Sequence, residues 1–434
     1  TYKPIKGLSL SAVISPFINY QKSKQFKLAC WYTLQDDPDV IGGYLDAGSL
    51  YATNKLSEGR NDNWHVTSQL LANYMRTFGK HDLTLMAGFE NNYMKTESLS
   101  AARDQYELTN YPYLNIGSED FQTNSGTGSE YTSNSFFGRL LYSYANRYLF
   151  QANVRRDGSS RFAKNYRWGT FPSFSAGWVV SEEPFMKKVN MPWLSYFKLR
   201  ASWGKLGNER IGSNYFPYIA LMSFGSTLFY MADGSVVSGS TARPAVLAVE
   251  DITWETTTST DLGFDANFLN NRLHVNFDYY WKKTTDMLLA IQIPYTMGYN
   301  QPNTNAGKMS THGYDIDVSW QDHIGDFKYG ISVNFSDYLS KIDYLNNSDI
   351  ISGGKVKRAG VLFNEYYGYI CDGIYQTKEE VNNSARTSST VTVGDLKYRD
   401  ISGPDGVPDG KISPEYDRVP LGNSLPRYQY GGNL

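Results

Sequence analysis

DLGFDANFLNNRLHVNFDYYWK, residues 261–282, decides the fold. Leu262, Phe264, Ala266 and Phe268 alternate with Asp261, Gly263, Asp265 and Asn267. After the run Leu269-Asn270-Asn271-Arg272, the residues Leu273, Val275, Phe277, Tyr279 and Trp281 alternate with His274, Asn276, Asp278, Tyr280 and Lys282. Side chains on a strand point alternately to its two faces, so the stretch predicts a hairpin with one apolar face and one polar, charged face.

The pattern repeats outward in both directions. Tyr314, Ile316, Val318 and Trp320 lead through 322–326 into Phe327, Tyr329, Ile331, Val333 and Phe335. Earlier hairpins are expected from Trp64 to Tyr93 around Phe78-Gly79-Lys80, and from Phe136 to Arg156 around Ala145-Asn146-Arg147, with Tyr148, Phe150, Ala152 and Val154 as an apolar row. Phe26, Leu28, Cys30, Tyr32 and Leu34 form another such row.

Roughly thirteen strands result, and their joins alternate in length. Short joins are expected near 21–24, 77–81, 145–147, 269–272 and 322–326, with a medium one at 181–195. Long joins are expected near 37–63, 95–130, 157–170, 204–253, 284–311 and 338–424. An up-and-down meander puts all short joins at one end and all long joins at the other, the layout of outer-membrane barrels. Compact soluble domains rarely carry so many long loops. The strands read as about 10 to 15 residues, enough to cross a bilayer at a tilt. The expected fold is all-β: a transmembrane, antiparallel, up-and-down β-barrel, seen in part.

Composition agrees. Net charge is -2, which gives no basic stripe for nucleic acid. Mean hydropathy is -0.46, and no run of 18 uncharged apolar residues marks a membrane helix. Half-apolar strands escape that test. Aromatics make up 15%, led by 35 Tyr, and Tyr and Trp suit places with one apolar and one wet side. Cys30 and Cys371 lie far apart without metal or redox spacing, so two free thiols are expected.

A family resemblance rests on a series of motifs. Arg155-Arg156-Asp157-Gly158-Ser159-Ser160-Arg161-Phe162 closely resembles a signature of the SusC/RagA-type TonB-dependent outer-membrane transporters. The match continues through residues 167–173, Gly177-Trp178, Ser181-Glu182-Glu183-Pro184-Phe185, residues 198–204, Gly207-Asn208, Trp254-Glu255-Thr256, Tyr280 with Thr284-Thr285-Asp286, and Gly307 to Gly313. It ends with Gly368-Tyr369, Asp372-Gly373-Ile374-Tyr375 and Gly394-Asp395-Leu396. The resemblance implies an outer-membrane location and active nutrient import. It implies a 22-stranded barrel around an N-terminal plug, a SusD-like lipoprotein lid that captures glycans or peptides, and energy from TonB. No plug, TonB box or final strands are legible, so residues 1–434 are expected to be a barrel domain incomplete at both ends. The last strand, from about Arg427, is too short to span.

Several residues are candidates for binding. Arg155, Arg156, Asp157 and Arg161 cluster where a strand leaves the membrane, either to touch substrate or lid, or to hold a folded loop; Gly158-Ser159-Ser160 is turn chemistry and favours the loop. The acidic, glycine-rich run from Asp400 through Asp405, Asp409 and Glu415 to Asp417 has the look of a calcium loop. Val407 and Pro408 stand where oxygen ligands are needed, so a turn-rich loop is the plainer reading, and no other cofactor is expected. Tyr111, Tyr113, Phe121, Phe229 and Tyr230 can stack on sugar rings or pack the loops together. Asp261, Asp265, Asp315 and Asp317 suggest a polar, acidic inner wall on these strands.

Catalysis finds no footing. His65, His81, His274, His312 and His323 are scattered without metal spacing, and Gly126-Thr127-Gly128 reads as a lone turn. Active import competes with two other functions. A passive porin uses the same architecture without a plug. A soluble carbohydrate-binding protein such as a propeller repeats its blades every 40 to 50 residues or so, and no blade signature is visible here.

Overall fold

The computed structural model describes residues 1–33, 36–37, 39, 41–44, 53–189, 191–212, 215–346 and 349–434. Twelve strands pair in sequence order into one antiparallel sheet. They are β1 (Leu8–Lys27), β2 (Lys55–Phe78), β3 (His81–Arg103), β4 (Gln122–Tyr144), β5 (Tyr148–Ser159), β6 (Trp168–Val179), β7 (Leu194–Asn208), β8 (Glu255–Phe268), β9 (Leu273–Ala290), β10 (Asn303–Ile324), β11 (Phe327–Leu345) and β12 (Tyr428–Asn433). Every connection joins neighbours, so the sheet is a pure meander. It is open, with β1 at one edge and β12 at the other. Among the described residues no helix is long and apolar enough to cross a membrane.

The register puts the faces where the alternation predicts. Phe264 sits opposite Phe277, Ala266 opposite Val275 and Leu262 opposite Tyr279. Phe277 faces Ile316, and Ile316 faces Phe335. On the other face Asp265 meets Asn276, and Asp278 meets Asp315. A one-residue slip would exchange the two faces, so register is strongly specified here. The apolar rings pack side by side on the outer face, with Phe264 lying 6.0 Å from Phe197 and 5.7 Å from Phe277 between centroids.

Tight turns close one end, at 79–80, 145–147, 269–272 and 325–326. They use residues that tolerate a left-handed backbone: Gly79, Asn146, Asn270, Asn271 and Gly325 all have φ between +55° and +64°. The 180–193 connection lies at this end and carries the short helix α1 (Pro184–Val189).

The structure differs from the sequence reading in three ways. No turn occurs at 21–24; β1 runs straight through, pairing Gln21, Lys22, Ser23 and Lys24 with Asn61, Arg60, Gly59 and Glu58. Two expected strands are therefore one, and the sheet has twelve rather than thirteen. The polar run looks like a turn, but its backbone stays in the ladder, where Lys24 stands 3.0 Å from Glu58 on the neighbouring strand. Second, Gly126-Thr127-Gly128 is strand, paired with Leu99, Ser98 and Glu97. Strands β2, β3 and β4 run 24, 23 and 23 residues and so rise well beyond the apolar band. This shortens the expected loop 95–130 to 104–121 and moves the expected loop 37–63, at unchanged length, to 28–54. Third, the row expected from Phe26 to Leu34 is not one strand. β1 ends at Lys27, Trp31–Thr33 pairs instead with Ile41–Tyr44, and Leu34 lies outside the described residues.

The long loops carry their own structure. Residues 209–254 contain a hairpin, Met222–Tyr230 with Val236–Pro244. Residues 346–427 contain a four-stranded sheet, a two-stranded sheet and helix α2 (Lys378–Asn383), which Thr377 caps by accepting from Glu380 N at 3.1 Å.

Candidate functional site

The loop end is built on the segment 155–167. Arg155 Nε pairs with Asp157 at 2.7 Å, and its Nη2 reaches Ser135 Oγ at 2.8 Å and Glu90 at 3.2 Å. Glu90 also accepts from Gln69 at 2.5 Å and Asn92 at 3.0 Å. This polar net lies on the inner face of β2–β5. Arg156 faces the other way, over the Trp168 ring at 5.6 Å.

The chain then turns at 160–167. Arg161 lies over Tyr215 at 4.4 Å and over Tyr131 at 5.3 Å, and its Nη1 donates to Gly212 O at 3.3 Å. The Tyr131 hydroxyl donates to Glu209. Phe162 is fully buried with Phe171, Ile211, Ile252 and Trp254, and the Trp254 indole N–H donates to Arg167 O at 3.0 Å. Gly207 is needed here, because a Cβ at that position would stand 2.1 Å from the Phe171 ring. Loops 160–167 and 209–254 are thus fastened together and to the inner wall of the mouth.

Below the mouth the inner wall is ion-paired. Arg200 from β7 meets Asp278 at 2.9 Å and Asp265 at 3.1 Å, and Lys198 stands 3.7 Å from Asp265. Asn276 bridges, donating to Asp265 at 3.0 Å and accepting from Arg200 at 3.2 Å. Asp261, Asp315 and Asp317 face the same side, in register with Tyr280, Asp278 and Asn276. The carboxylates of β8, β9 and β10 thus share one face, and Lys198 and Arg200 from β7 pair with part of them. The missed cations alternate with Phe197, Leu199 and Ala201 on β7, so the signal was present.

The other candidates lie elsewhere. Asp417 is fully buried and accepts from the backbone N–H groups of Ser413 at 2.7 Å, Ile401 at 2.8 Å and Ser402 at 3.2 Å. Burial pushes its carboxyl up, but those three amides outweigh it and hold the group below the usual carboxylate range. Asp400 accepts from Gly410 N at 2.7 Å and Asp409 from Lys411 N at 2.9 Å. One oxygen of each binds a loop amide, while Asp400 Oδ1 is buried with no partner, and among the described residues no three acidic, His or Cys side chains converge as metal ligands. Asp405 and Glu415 are exposed nearby.

Tyr111, Tyr113 and Phe121 stand exposed in loop 104–121, with Lys24 Nζ 4.8 Å above the Tyr113 ring. Phe229 and Tyr230 are on the 222–244 hairpin; Tyr230 is 80% exposed, whereas the Phe229 ring covers Gly239. The structure does not bring the two groups together. His81 contacts the Tyr142 hydroxyl at 2.8 Å, His323 neighbours Asp322, and His65, His274 and His312 lie apart from both and from one another. Cys30 and Cys371 are exposed free thiols.

Comparisons with known proteins agree on one family. The model described as TonB dependent receptor-like, beta-barrel, matches residues 12–433. The chain is 30% identical to TonB-dependent receptor P3 of Formosa agariphila, over 91% of this chain and 39% of that protein. It is 31% identical to TonB-dependent receptor SusC of Bacteroides thetaiotaomicron, over 74% of this chain and 31% of that protein. Among solved structures, the RagAB peptide transporter superposes with a TM-score of 0.79 at 22% identity, over 99% of this chain and 44% of that one. The chain spans less than half the length of these relatives.

Proposed function

The chain belongs to the TonB dependent receptor-like β-barrel family, and from that premise we propose that it forms the barrel wall of an active nutrient importer of the SusC type. It is an outer-membrane β-barrel protein, and its family is one of transporters and receptors, not of enzymes. The proposed cargo is a glycan or a peptide, taken in under a SusD-like surface lipoprotein and drawn through with energy from TonB. The family match across residues 12–433 supports this reading over a passive porin. The likeness to a receptor named SusC and to a solved peptide transporter supports a bulky cargo of one of those two classes.

The geometry fits such a role. Import of a polar polymer needs a wetted, hydrogen-bonding wall, and the ion-paired face of β7–β10 supplies one. The exposed rings of loop 104–121 and of the 222–244 hairpin can stack on sugars or on peptide side chains. The test is deletion of the whole gene in its native cell, followed by growth on a panel of polysaccharides and peptide digests. Loss of growth on one polymer, with the others untouched, is expected. Collapsing the proton gradient is expected to stop uptake of that polymer. Normal growth on every nutrient would overturn the proposal, and uptake that survives the collapse would return the protein to the porin reading.

A further inference from the structure

The 180–193 connection is long for the turn end, where its companions span 79–80, 145–147, 269–272 and 325–326. Both of its ends are tied to the lipid-facing side of the barrel. Trp178 donates its indole N–H to Glu183 at 3.0 Å, and Arg147 pairs with the same carboxylate at 3.1 Å. Trp193 stacks on Phe268 with ring centroids 5.9 Å apart and planes 7° from parallel. Trp178 shares the outer row of Tyr148 and Leu199, and Phe268 that of Phe264.

Between these ties lies α1, with sequence Pro-Phe-Met-Lys-Lys-Val. Phe185 and Val189 are one turn apart and share a face. They are 51% and 60% exposed, and Trp193 is 51% exposed. Lys187 and Lys188 are exposed beside them, Lys187 pairing with Glu182 at 2.6 Å. Large apolar side chains beside lysines, in continuity with the apolar band of the barrel, match one environment: the headgroup boundary of a bilayer.

We infer that residues 180–189 and 191–193 form an interfacial foot seated in the inner leaflet of the outer membrane. Phe185, Val189 and Trp193 lie at the acyl boundary. Lys187 and Lys188 extend their stems along it and place their charges on phospholipid phosphates. The buried Glu183, held by Trp178 and Arg147, fixes the angle at which the foot leaves the barrel.

Spin labels in the full-length protein test this, in a Cys30→Ser, Cys371→Ser background. Single nitroxides at Val189→Cys, Lys188→Cys and, as an aqueous reference, Asp326→Cys are reconstituted in 70:30 phosphatidylethanolamine–phosphatidylglycerol vesicles. The label at 189 is expected to collide with oxygen in preference to a water-soluble nickel chelate several-fold more than the label at 326, with 188 in between. Equal accessibility at 189 and 326, the result for a foot standing in water or covered by a soluble protein, would overturn the inference. If labelling disturbs folding, lipids brominated near the headgroup decide the matter in unlabelled protein. They are expected to quench wild-type fluorescence more than that of Trp193→Phe, and equal quenching would overturn the inference too.

Discussion

Asp417 is a carboxylate placed where charge is expensive. Removing it from water is offset because three amides, of residues 401, 402 and 413, point at it. A folded-state pKa held below the unfolded value makes the charge stabilising above the unfolded value, about 3.9, and the effect fades as pH falls through the folded value. Limited proteolysis of loop 346–427 is therefore expected to be unchanged between pH 7 and pH 5 and to accelerate only well below pH 4. Asp417→Asn, which keeps the shape but loses the charge, is expected to be cut faster at pH 7 and to lose the acid dependence; identical digestion of variant and parent at neutral pH would refute the role. The sequence marked Asp417 only as part of an acidic, glycine-rich run. Its true partners are backbone amides, which leave no trace in residue identity.

Among the elements, the hairpins were readable because a period of two with one apolar face survives any loop around it. β8 and β9 pair in the register that Leu262 to Trp281 prescribes. The reading failed where polarity rather than periodicity was taken as the signal, at Gln21 to Lys24 and at Gly126 to Gly128, because a strand that rises past the bilayer goes on pairing after its apolar residues stop. The apolar face itself makes a quantitative prediction. Phe264 sits near the middle of the outer band, ringed by Phe197 and Phe277. Phe264→Arg is expected to lower the stability of the whole protein in bilayers by about 2–4 kcal/mol, the cost of a lipid-facing Arg near mid-bilayer. The same change at Ser259, on the inner face, is expected to alter it little. Urea titration of the protein folded in vesicles separates the two; equal losses would mean that the faces are misassigned.

At the scale of the molecule, the loop end is one unit, and this was the part least legible beforehand. The segment 155–162 was visible as a signature, but Tyr131, Glu209, Tyr215 and Trp254 reach it from strands and loops tens of residues away, and nothing local announces such a meeting. The inner wall was half legible for the same reason: its carboxylates stood out on β8 and β10, while Arg200, two strands from Asp278 in the sheet, did not. Trp254 tests whether the mouth behaves as a unit. It packs on Phe162 at 5.4 Å and on Phe171 at 5.4 Å between centroids, and its indole N–H satisfies Arg167 O. Trp254→Ala removes that packing, a change that costs about 3–5 kcal/mol in a buried cluster. Regions opening together exchange their amides together. Hydrogen exchange of the whole protein is thus expected to rise jointly in 160–167, 209–212 and 249–254, while amides flanking the turns at 79–80 and 269–272 keep the parent's rates. A rise confined to 249–254 would instead show loops that move independently and would refute the single unit.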